Sequence, residues 1–318
     1  MIRISAVICT FKRPDYLRLA LRSLCEQTLS TDAYEIVVVD NAADLDSERV
    51  AGEFSQGSVN LRYIVEEQVG LSHARNTGAQ CANGQYVAYM DDDACADPHW
   101  LETLLFAFEN VSPAPVAIGG RVWLDWQGVR PAWVSEHYLS LFTYVDHGDS
   151  ARFLGDEYLV GANLAFDKQA LLKLGGFDAN LGRKGSSLRS GEETALLQQL
   201  QATESGVYYE PAALVWHSVD SSRKHPGWLV RRVFWDGAAQ PFLERPELLR
   251  PANWRAAITD LRQCGRWAWT MLVALLRYRR HEVWESVLGL CQRAGRLRTH
   301  LGFMVGTMTN RLSGESRS

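Results

Sequence analysis

The chain has 318 residues, of which 47% are hydrophobic and 22% are charged, and its formal net charge at pH 7 is −4. This length allows one large domain with an appendage, and the composition is that of a soluble globular protein. The weakly acidic balance gives no reason to expect nucleic acid as a partner.

Charge is distributed unevenly along the chain. From Met1 to Val219 there are 16 basic and 29 acidic residues, whereas from Asp220 to the end there are 17 basic and eight acidic residues. The second segment also holds six of the 11 tryptophans. A basic, tryptophan-rich tail on an acidic body predicts a membrane surface or another anionic partner for the tail.

Cysteine spacing and hydropathy favour a cytosolic protein. The six cysteines form no CxxC pair and have no histidine at zinc-finger spacing, so we expect reduced, buried thiols. The N-terminal segment lacks the longer apolar stretch of a signal peptide. The longest uncharged apolar stretch of the tail, Trp267 to Leu276, is shorter than the ~20 residues that span a bilayer.

Strand and helix signals alternate through the first half of the chain. Short β-branched runs predict buried parallel strands, and apolar residues at helical spacing predict helices between them. The predicted strands are 4–9, 35–39, 61–65 and 86–90, and the predicted helices begin at Pro14, span 71–81 and run from Pro98 to Phe108. This order predicts an α/β fold with a mostly parallel central sheet flanked by helices.

Polar residues follow three of these strands directly. Thr10, Asp40 and the Asp91–Asp93 cluster each come just after a predicted strand. Ligands of such sheets bind beyond the carboxyl ends of the strands. We therefore expect these residues to share one crevice although they are far apart in sequence.

The second half of the chain is less regular. Leu159–Phe166 predicts a strand, Leu181–Gly191 has the composition of a mobile loop, and Glu192–Leu200 predicts a helix. Further strands are expected near Val207 and Leu214. Beyond Pro226 the pattern is helical to the end of the chain.

The segment YMDDDA carries the strongest chemical signal. Three consecutive carboxylates at a strand end repel one another unless a positive charge lies there. Carboxylate ligands on a short loop suit Mg²⁺ or Mn²⁺, which would bridge to substrate phosphates. The alternative is a solvated acidic turn that caps the helix at Pro98. An EF-hand is excluded because its glycine and distal glutamate are missing.

Six segments, taken in order, resemble glycosyltransferase family 2. They are SAVICTFKRPDYL, EIVVVDNAA, VGLSHARNTGA, YVAYMDDDACADPHWL, GANLAFDKQALLKLGGFD and SGEETALL. The resemblance runs from about Ile4 to the region of Arg232. It implies the GT-A fold and a metal-dependent, inverting transfer of sugar from a nucleoside-diphosphate sugar to an acceptor hydroxyl.

The resemblance also implies which residues bind the nucleotide sugar. In this role it places Thr10, Phe11, Arg13, Asp40, Gly70, Arg75 and Asp92. Asp40 would accept a hydrogen bond from the base, and Arg75 would lie near ribose or phosphate. Asp93 would be the principal metal ligand, with Asp91 completing the motif. Ala94 stands where many relatives have a further acidic residue, so the motif is one carboxylate shorter.

The segment SGEET is similar to the family motif that supplies the catalytic base. Glu193 takes the position of that base, usually an aspartate, and its neighbour Glu192 is the competing candidate. Adjacent residues cannot share one helix face, so one should point into the site while the other lies at the helix start. Without the resemblance, both would be interpreted as exposed residues of a first helical turn.

His217 could complete the metal shell, although a histidine after a strand is more often a hydrogen-bonded structural residue. Arg223, Lys224, Arg231 and Arg232 could bind the diphosphate or a membrane, or form a solvated basic face. The cofactor expected from these residues is Mn²⁺ or Mg²⁺.

The predicted organisation is a GT-A domain over 1–225, with a nucleotide-binding half at about 1–110 and an acceptor and catalytic half at about 111–225. A helical C-terminal extension follows over 226–318. The resemblance implies a role in polysaccharide or glycolipid assembly, with a UDP-sugar preferred as donor and a glycan or lipid-linked acceptor. The alternatives are a catalytically weak sugar-nucleotide-binding module and a sugar-1-phosphate nucleotidyltransferase, although the first loop, TFKRPDY, lacks the glycines that the latter needs.

The tail predicts amphipathic helices on the inner face of a cytoplasmic membrane, or helices that pack on the core or a second subunit. The apolar residues at helical spacing are Trp254, Ile258, Leu261, Leu272, Leu275 and Leu276. The basic residues expected to meet anionic headgroups are Arg277, Arg279, Arg280, Arg293, Arg296 and Arg298.

Overall fold

The computed structural model describes residues 1–184, 188–201, 206–244 and 254–312. The helices of this part of the chain are α1 (Pro14–Cys25), α2 (Leu45–Phe54), α3 (Leu71–Cys81), α4 (Trp100–Asn110), α5 (Lys168–Lys173), α6 (Glu192–Gln201), α7 (Pro226–Glu244), α8 (Trp254–Leu276) and α9 (Arg280–Leu312). The strands are β1 (Ile4–Thr10), β2 (Tyr34–Asp40), β3 (Asn60–Val65), β4 (Tyr86–Asp91), β5 (Ala94–Ala96), β6 (Ala117–Asp125), β7 (Arg152–Phe153), β8 (Leu164–Asp167) and β9 (Val207–Ser218). Two 3₁₀ helices lie at Glu136–Phe142 and Ser221–Lys224.

These strands form one mixed sheet in the order β3-β2-β1-β4-β8-β6-β9-β5, with β7 on β9. Strands β1 to β4 pair in parallel, as predicted, whereas β8 pairs antiparallel with both β4 and β6. The register sets Thr10 opposite Asp40 and Cys9 opposite Asp91. The carboxyl ends of β1, β2 and β4 therefore meet at one edge of the sheet.

Hydrophobic layers cover both faces of the sheet. Alternate residues of β1 point to opposite layers: Ile4 and Ile8 join the layer of α1 and α4, and Val7 joins the layer of α3 and α6. All three side chains are fully buried. Burial of each aliphatic side chain of this size contributes about 1.5–3 kcal/mol, so the central strand that carries Thr10 is firmly held.

Two strands of the second half of the sheet, and the burial of the cysteines, differ from the sequence expectation. The strand expected over 159–166 is confined to β8, since residues before it form a turn in which the N–H of Asn163 donates to the carbonyl of Val160 (3.1 Å). The two strands expected near Val207 and Leu214 are one continuous strand, β9. All six cysteines are free, and they are half-buried rather than fully buried.

The chain divides into two compact units. The first comprises Met1–Gly185 and Glu192–Lys224, and the second comprises Ser186–Gly191 and His225–Ser318. In the second unit α7 and α9 approach backbone to backbone, since a Cβ at Gly295 would lie 1.9 Å from the carbonyl oxygen of Phe234. Among the described residues, no helix combines the length and hydropathy needed to cross a bilayer.

Candidate active site

The strand ends bring the predicted polar residues together, as the sequence suggested. Thr10 closes β1 and donates its hydroxyl to the carboxylate of Asp92 (2.9 Å), just beyond the end of β4. Asp40 closes β2 directly opposite Thr10. The shared edge of three parallel strands thus gathers Thr10, Asp40 and the carboxylates of Asp91–Asp93.

Asp91, Asp93 and His217 form a candidate metal centre. One ligand atom from each residue lies within 4.8 Å of the others. The antiparallel ladder between β5 and β9 fixes this geometry: the N–H of Ser218 donates to the carbonyl of Asp93 (2.8 Å), and Ala94 pairs with His217. His217 is fully buried, and its Nε2 lies 3.2 Å from Oδ1 of Asp93.

The donor atoms of this centre fit a divalent cation. Carboxylate oxygens are the ligands that Mg²⁺ and Mn²⁺ prefer, and an imidazole nitrogen is tolerated best by the softer Mn²⁺. Nδ1 of His217 is buried and has no hydrogen-bond partner among the described residues. A buried polar atom without a partner costs free energy, so this side chain is suited to bind something further.

Two arginines hold the same carboxylates. Arg13 donates from Nη1 to Asp92 (2.7 Å) and from Nη2 to Asp93 (2.9 Å), and Arg223 donates from Nη2 to Asp93 (2.6 Å). Burial alone would raise the pKa of Asp93, but the charges of His217, Arg223 and Arg13 hold this pKa well below its usual range. The pKa of Asp92 is raised to about 6, mainly by burial, which its ion pair with Arg13 only partly offsets.

Arg75 connects the metal motif to the second acidic motif. Its guanidinium is buried and donates to Glu192 (2.6 Å) and to Asp91 (3.3 Å). Gly161 leaves the space for it, since a Cβ there would lie 2.0 Å from Nη2 of Arg75. Sequence reasoning did not find this link, because it joins residues 117 positions apart that share no local pattern.

Glu192 and Glu193 have different surroundings at the start of α6. Glu192 is buried on Arg75, and its pKa is raised to about 8, by burial first and by the charge of Glu193 second. Glu193 is half-buried. Each residue has one buried carboxylate oxygen without a partner among the described residues. Which of the two residues points into the site therefore stays a prediction.

Asp40 and Asn41 organise the loop after β2. Asp40 is fully buried and accepts hydrogen bonds from the N–H groups of Ala42 (2.8 Å) and Asp44 (2.7 Å) and from the hydroxyl of Tyr63 (2.5 Å). Its carboxylate therefore already has three protein donors, and its predicted contact with a nucleotide base stays a prediction.

Asn41 was not selected from the sequence, although its position directly after a strand end was the available signal. Its amide nitrogen donates to the carbonyls of Glu66 (2.8 Å) and Gln68 (2.9 Å). Its amide oxygen accepts from the N–H of Gly70 (2.6 Å). Gly70 precedes α3 at φ 154°, a backbone conformation that favours glycine. Asn41 thus fixes the start of the helix that carries Arg75.

The loop after β1 presents an aromatic ring. Phe11 is 41% exposed, and the Nζ of Lys12 lies 5.9 Å from its ring centroid. Lys12 itself has a left-handed backbone at φ 55°. The predicted contact of this loop with a nucleotide base stays a prediction.

Comparison with known proteins adds independent observations. A sequence model of the family described as Glycosyl transferase family 2 matches residues 5–175. A glucosyl-dolichyl phosphate glucuronosyltransferase of Haloferax volcanii is 30% identical over 245 residues, which cover 76% of this chain and 77% of that protein.

Two solved structures resemble most of the chain. A mannosyltransferase of Pyrobaculum calidifontis, in complex with GDP-Man and Mn²⁺, has a TM-score of 0.59 at 19% identity, covering 93% of this chain and 86% of that one. TarS 1–349 of S. aureus, in complex with UDP-GlcNAc, has a TM-score of 0.52 at 15% identity, covering 93% and 92%. At these identities the likeness shows the fold alone, and it confirms the GT-A expectation.

Proposed function

Since the chain belongs to glycosyl transferase family 2 and is a glycosyltransferase of glycoconjugate biosynthesis, we propose that it moves a sugar from a nucleoside-diphosphate sugar to an acceptor hydroxyl with inversion at the anomeric carbon. The observation that carries this proposal is the convergence of Asp91, Asp93 and His217 beside Arg13 and Arg223.

Asp91, Asp93 and His217 would hold Mn²⁺ or Mg²⁺, which supplies positive charge to the leaving diphosphate. Asp93 is suited to this role because its low pKa keeps it ionised at neutral pH. Asp92, held by Thr10 and Arg13, lies beside the metal ligands and would contact the ribose.

Arg13 and Arg223 would stabilise the charge that builds on the diphosphate as the glycosidic bond breaks. Each guanidinium has a fork of donors, which matches phosphate as well as carboxylate geometry. Their present partners are Asp92 and Asp93. A fixed positive group is most effective where charge develops, since it needs no reorganisation during the reaction.

Glu193 would accept the proton of the acceptor hydroxyl as that oxygen attacks the anomeric carbon from the face opposite the diphosphate. Glu192 would act as its positioning neighbour, because its carboxylate is already committed to Arg75 (2.6 Å). Direct displacement of this kind inverts the anomeric configuration.

The proposed chemical classes of donor and acceptor are taken from the similar structures and from the relative of H. volcanii. A uridine diphosphate donor is the preferred proposal, with Thr10, Phe11, Asp40 and Gly70 lining the base and ribose side. One similar structure holds UDP-GlcNAc and another holds GDP-Man, so both bases belong in the test. A glycan or lipid-linked acceptor is proposed because the relative of H. volcanii is named for a glucosyl-dolichyl phosphate substrate. Such an acceptor would place the cytoplasmic protein on the inner face of the membrane.

The test is a calorimetric titration of nucleoside diphosphates and their sugars with and without Mn²⁺, accompanied by product analysis. We expect one diphosphate to bind at least tenfold more tightly with the metal. Slow hydrolysis of one nucleotide sugar should give free sugar of inverted configuration. Equal affinity without metal, or product of retained configuration, would contradict the proposal. Binding without any donor breakdown would instead indicate a sugar-nucleotide-binding module.

A further inference from the structure

Helix α8 has two faces of opposite character. The face that packs on α9 includes Ala257, Asp260 and Ala274, which are buried. Asp260 is the only acidic residue in the sequence of this helix. The outward face of α8 therefore carries no acidic side chain.

Large apolar side chains lie on this outward face. Leu261 is 60% exposed, Trp269 is 67% exposed and Leu276 is 73% exposed, and Leu272 and Leu275 are also exposed. Spacings of three and four residues place such side chains along one stripe. Scattered exposed leucines are ordinary in soluble proteins, whereas a continuous apolar stripe indicates a binding surface.

A basic edge runs beside the stripe. Arg262 and Arg266 are exposed and four residues apart, so they are neighbours on the helix surface. Together with Gly265, Trp269 and Thr270 they line an open depression. Gly265 leaves this depression free, since nothing lies within 4 Å of the Cβ position at that residue. An indole beside two guanidinium groups suits an anionic headgroup next to an apolar layer.

Arg293 and Arg296 of α9 do not share this surface, although the sequence offered them as partners of anionic headgroups. Arg293 (3.1 Å) and Arg296 (3.1 Å) both pair with the buried Asp260. Arg298 stacks over the ring of Trp235 at 4.7 Å. Arg293 and Arg296 thus contribute to the packing of α8 on α9, whereas Arg298 is exposed.

We propose that the outward face of α8 docks on a membrane surface containing anionic lipid. Trp269, Leu272 and Leu276 enter the headgroup boundary, and Arg262 and Arg266 bind lipid phosphates. The proposal deepens the membrane position given under the proposed function. It does not depend on the transfer chemistry.

A second copy of the chain fits the outward face of α8 less well than a membrane surface does. From Ile258 to Leu276 the helix extends about 27 Å, and at a width of about 10 Å its footprint is roughly 270 Å². A stable protein interface buries about 800 Å² on each partner. A two-fold pairing would also bring the basic edges of both copies together without acidic partners.

The test uses the full chain and co-sedimentation with vesicles of phosphatidylcholine, alone or mixed with phosphatidylglycerol. We expect binding to the mixed vesicles at low salt, release at high salt, and little binding to phosphatidylcholine alone. Arg262→Glu with Arg266→Glu should weaken binding at least tenfold, and Trp269→Glu should weaken it to a similar degree.

Arg49→Glu is the matched control, because Arg49 is an exposed arginine of α2 that pairs with Asp46 (2.8 Å). It should leave vesicle binding unchanged. Donor hydrolysis should stay unchanged in the α8 variants, so a failure of the docking surface is distinguishable from a failure of the proposed function. Absence of binding at low salt, or full binding by the double variant, would overturn the proposal. A concentration-dependent dimer abolished by Trp269→Glu in sedimentation velocity would also overturn it and assign the face to a second copy.

Discussion

Two buried aspartates in this molecule have the same kinds of neighbours, and we propose different roles for them. Asp93 lies in the sheet unit with Arg13, Arg223 and His217, and Asp260 lies in the helical unit with two arginines and a histidine. Composition of the cluster therefore does not distinguish a reactive site from a structural one.

The number of possible metal ligands does distinguish them. Asp93 belongs to a run of three carboxylates, and those of Asp91 and Asp93 lie with the imidazole of His217 close enough to hold one cation. Around Asp260 one carboxylate meets two guanidinium groups, those of Arg293 and Arg296. Among the described residues, the surroundings of Asp260 offer no set of three possible ligands.

Removal of the Asp93 carboxylate is the strongest test of the proposed difference between the two aspartates. Asp93→Ala should abolish transfer and the dependence of nucleoside-diphosphate affinity on Mn²⁺, because the principal ligand is lost. Calorimetry with and without Mn²⁺ measures this. Asp260→Asn should keep the metal dependence intact and serves as the control. Full activity of Asp93→Ala in the presence of a chelator would contradict the assignment.

Substitutions at Glu193 and Glu192 test the proposed difference between a general base and a residue that positions its neighbours. Glu193→Gln should lower turnover by roughly 10²–10⁴ with nearly unchanged donor affinity, as expected for loss of a general base. Glu192→Gln should instead disturb Arg75, and with it donor affinity. If Glu192→Gln alone loses turnover at full donor affinity, the roles of the two residues are reversed.

For the helical unit we expect loss of stability without loss of binding. Asp260→Asn should lower the free energy of unfolding by about 3 kcal/mol, the low end for breaking a buried ion pair. The low end applies because Arg293 is partly exposed. Urea unfolding monitors the change. Asp46→Asn, which removes an exposed pair with Arg49, should change the same quantity by less than about 1 kcal/mol. Equal effects of the two substitutions would refute a structural role for Asp260.

A smaller effect is expected from a substitution at Arg223, which pairs with Asp93. Arg223→Met should weaken binding of the nucleoside diphosphate by about 10- to 100-fold, the range for losing a hydrogen bond to a charged group. Lys224→Met is the matched control, since the amine of Lys224 donates to the carbonyl of Gln127 rather than to a carboxylate. Unchanged diphosphate affinity in Arg223→Met would contradict a contact of Arg223 with the diphosphate, and its role would then be limited to the hydrogen bond with Asp93.

The smallest expected effect is a slope in the dependence of stability on pH. The pKa of Glu192 is raised by burial to about 8 in the folded protein, against 4.5 for the ordinary side chain. Between these pH values the folded state binds more protons than the unfolded chain, so this residue makes the free energy of unfolding fall as pH rises. Glu192→Gln should remove that component, measured by urea unfolding at several pH values. An unchanged slope would show that Glu192 is ionised in the folded protein.

Periodicity and strand ends were sufficient to predict the parallel half of the sheet and the cluster of polar residues at its carboxyl edge. They could do so because β1, β2 and β4 are continuous apolar runs that each end in a polar residue. Helix α2 was not predicted, since it buries only Ser47, Val50 and Ala51 and so shows little apolar periodicity. Its start is instead marked by Asp44, which caps the N–H of Ser47 (3.1 Å).

Pairings between distant residues could not be predicted from local pattern. The contact of Arg75 with Glu192 and that of Arg223 with Asp93 depend on how strands and helices assemble. The same limit explains the error in α9. Spacing shows that Arg293 and Arg296 recur on a helix, but it does not show that a neighbouring helix presents Asp260 to them.

Gly161 shows that a residue without a side chain can determine where a charged side chain lies. Arg75 is buried and pairs with both Asp91 and Glu192. Its guanidinium therefore cannot move away from a methyl group at position 161 without losing one of these ion pairs. Gly161→Ala would therefore appear in a mutational scan as a loss of function with an intact set of charged residues. A mutational survey restricted to acidic, basic and aromatic residues would overlook Gly161. Any redesign of the proposed donor site should keep glycine at this position.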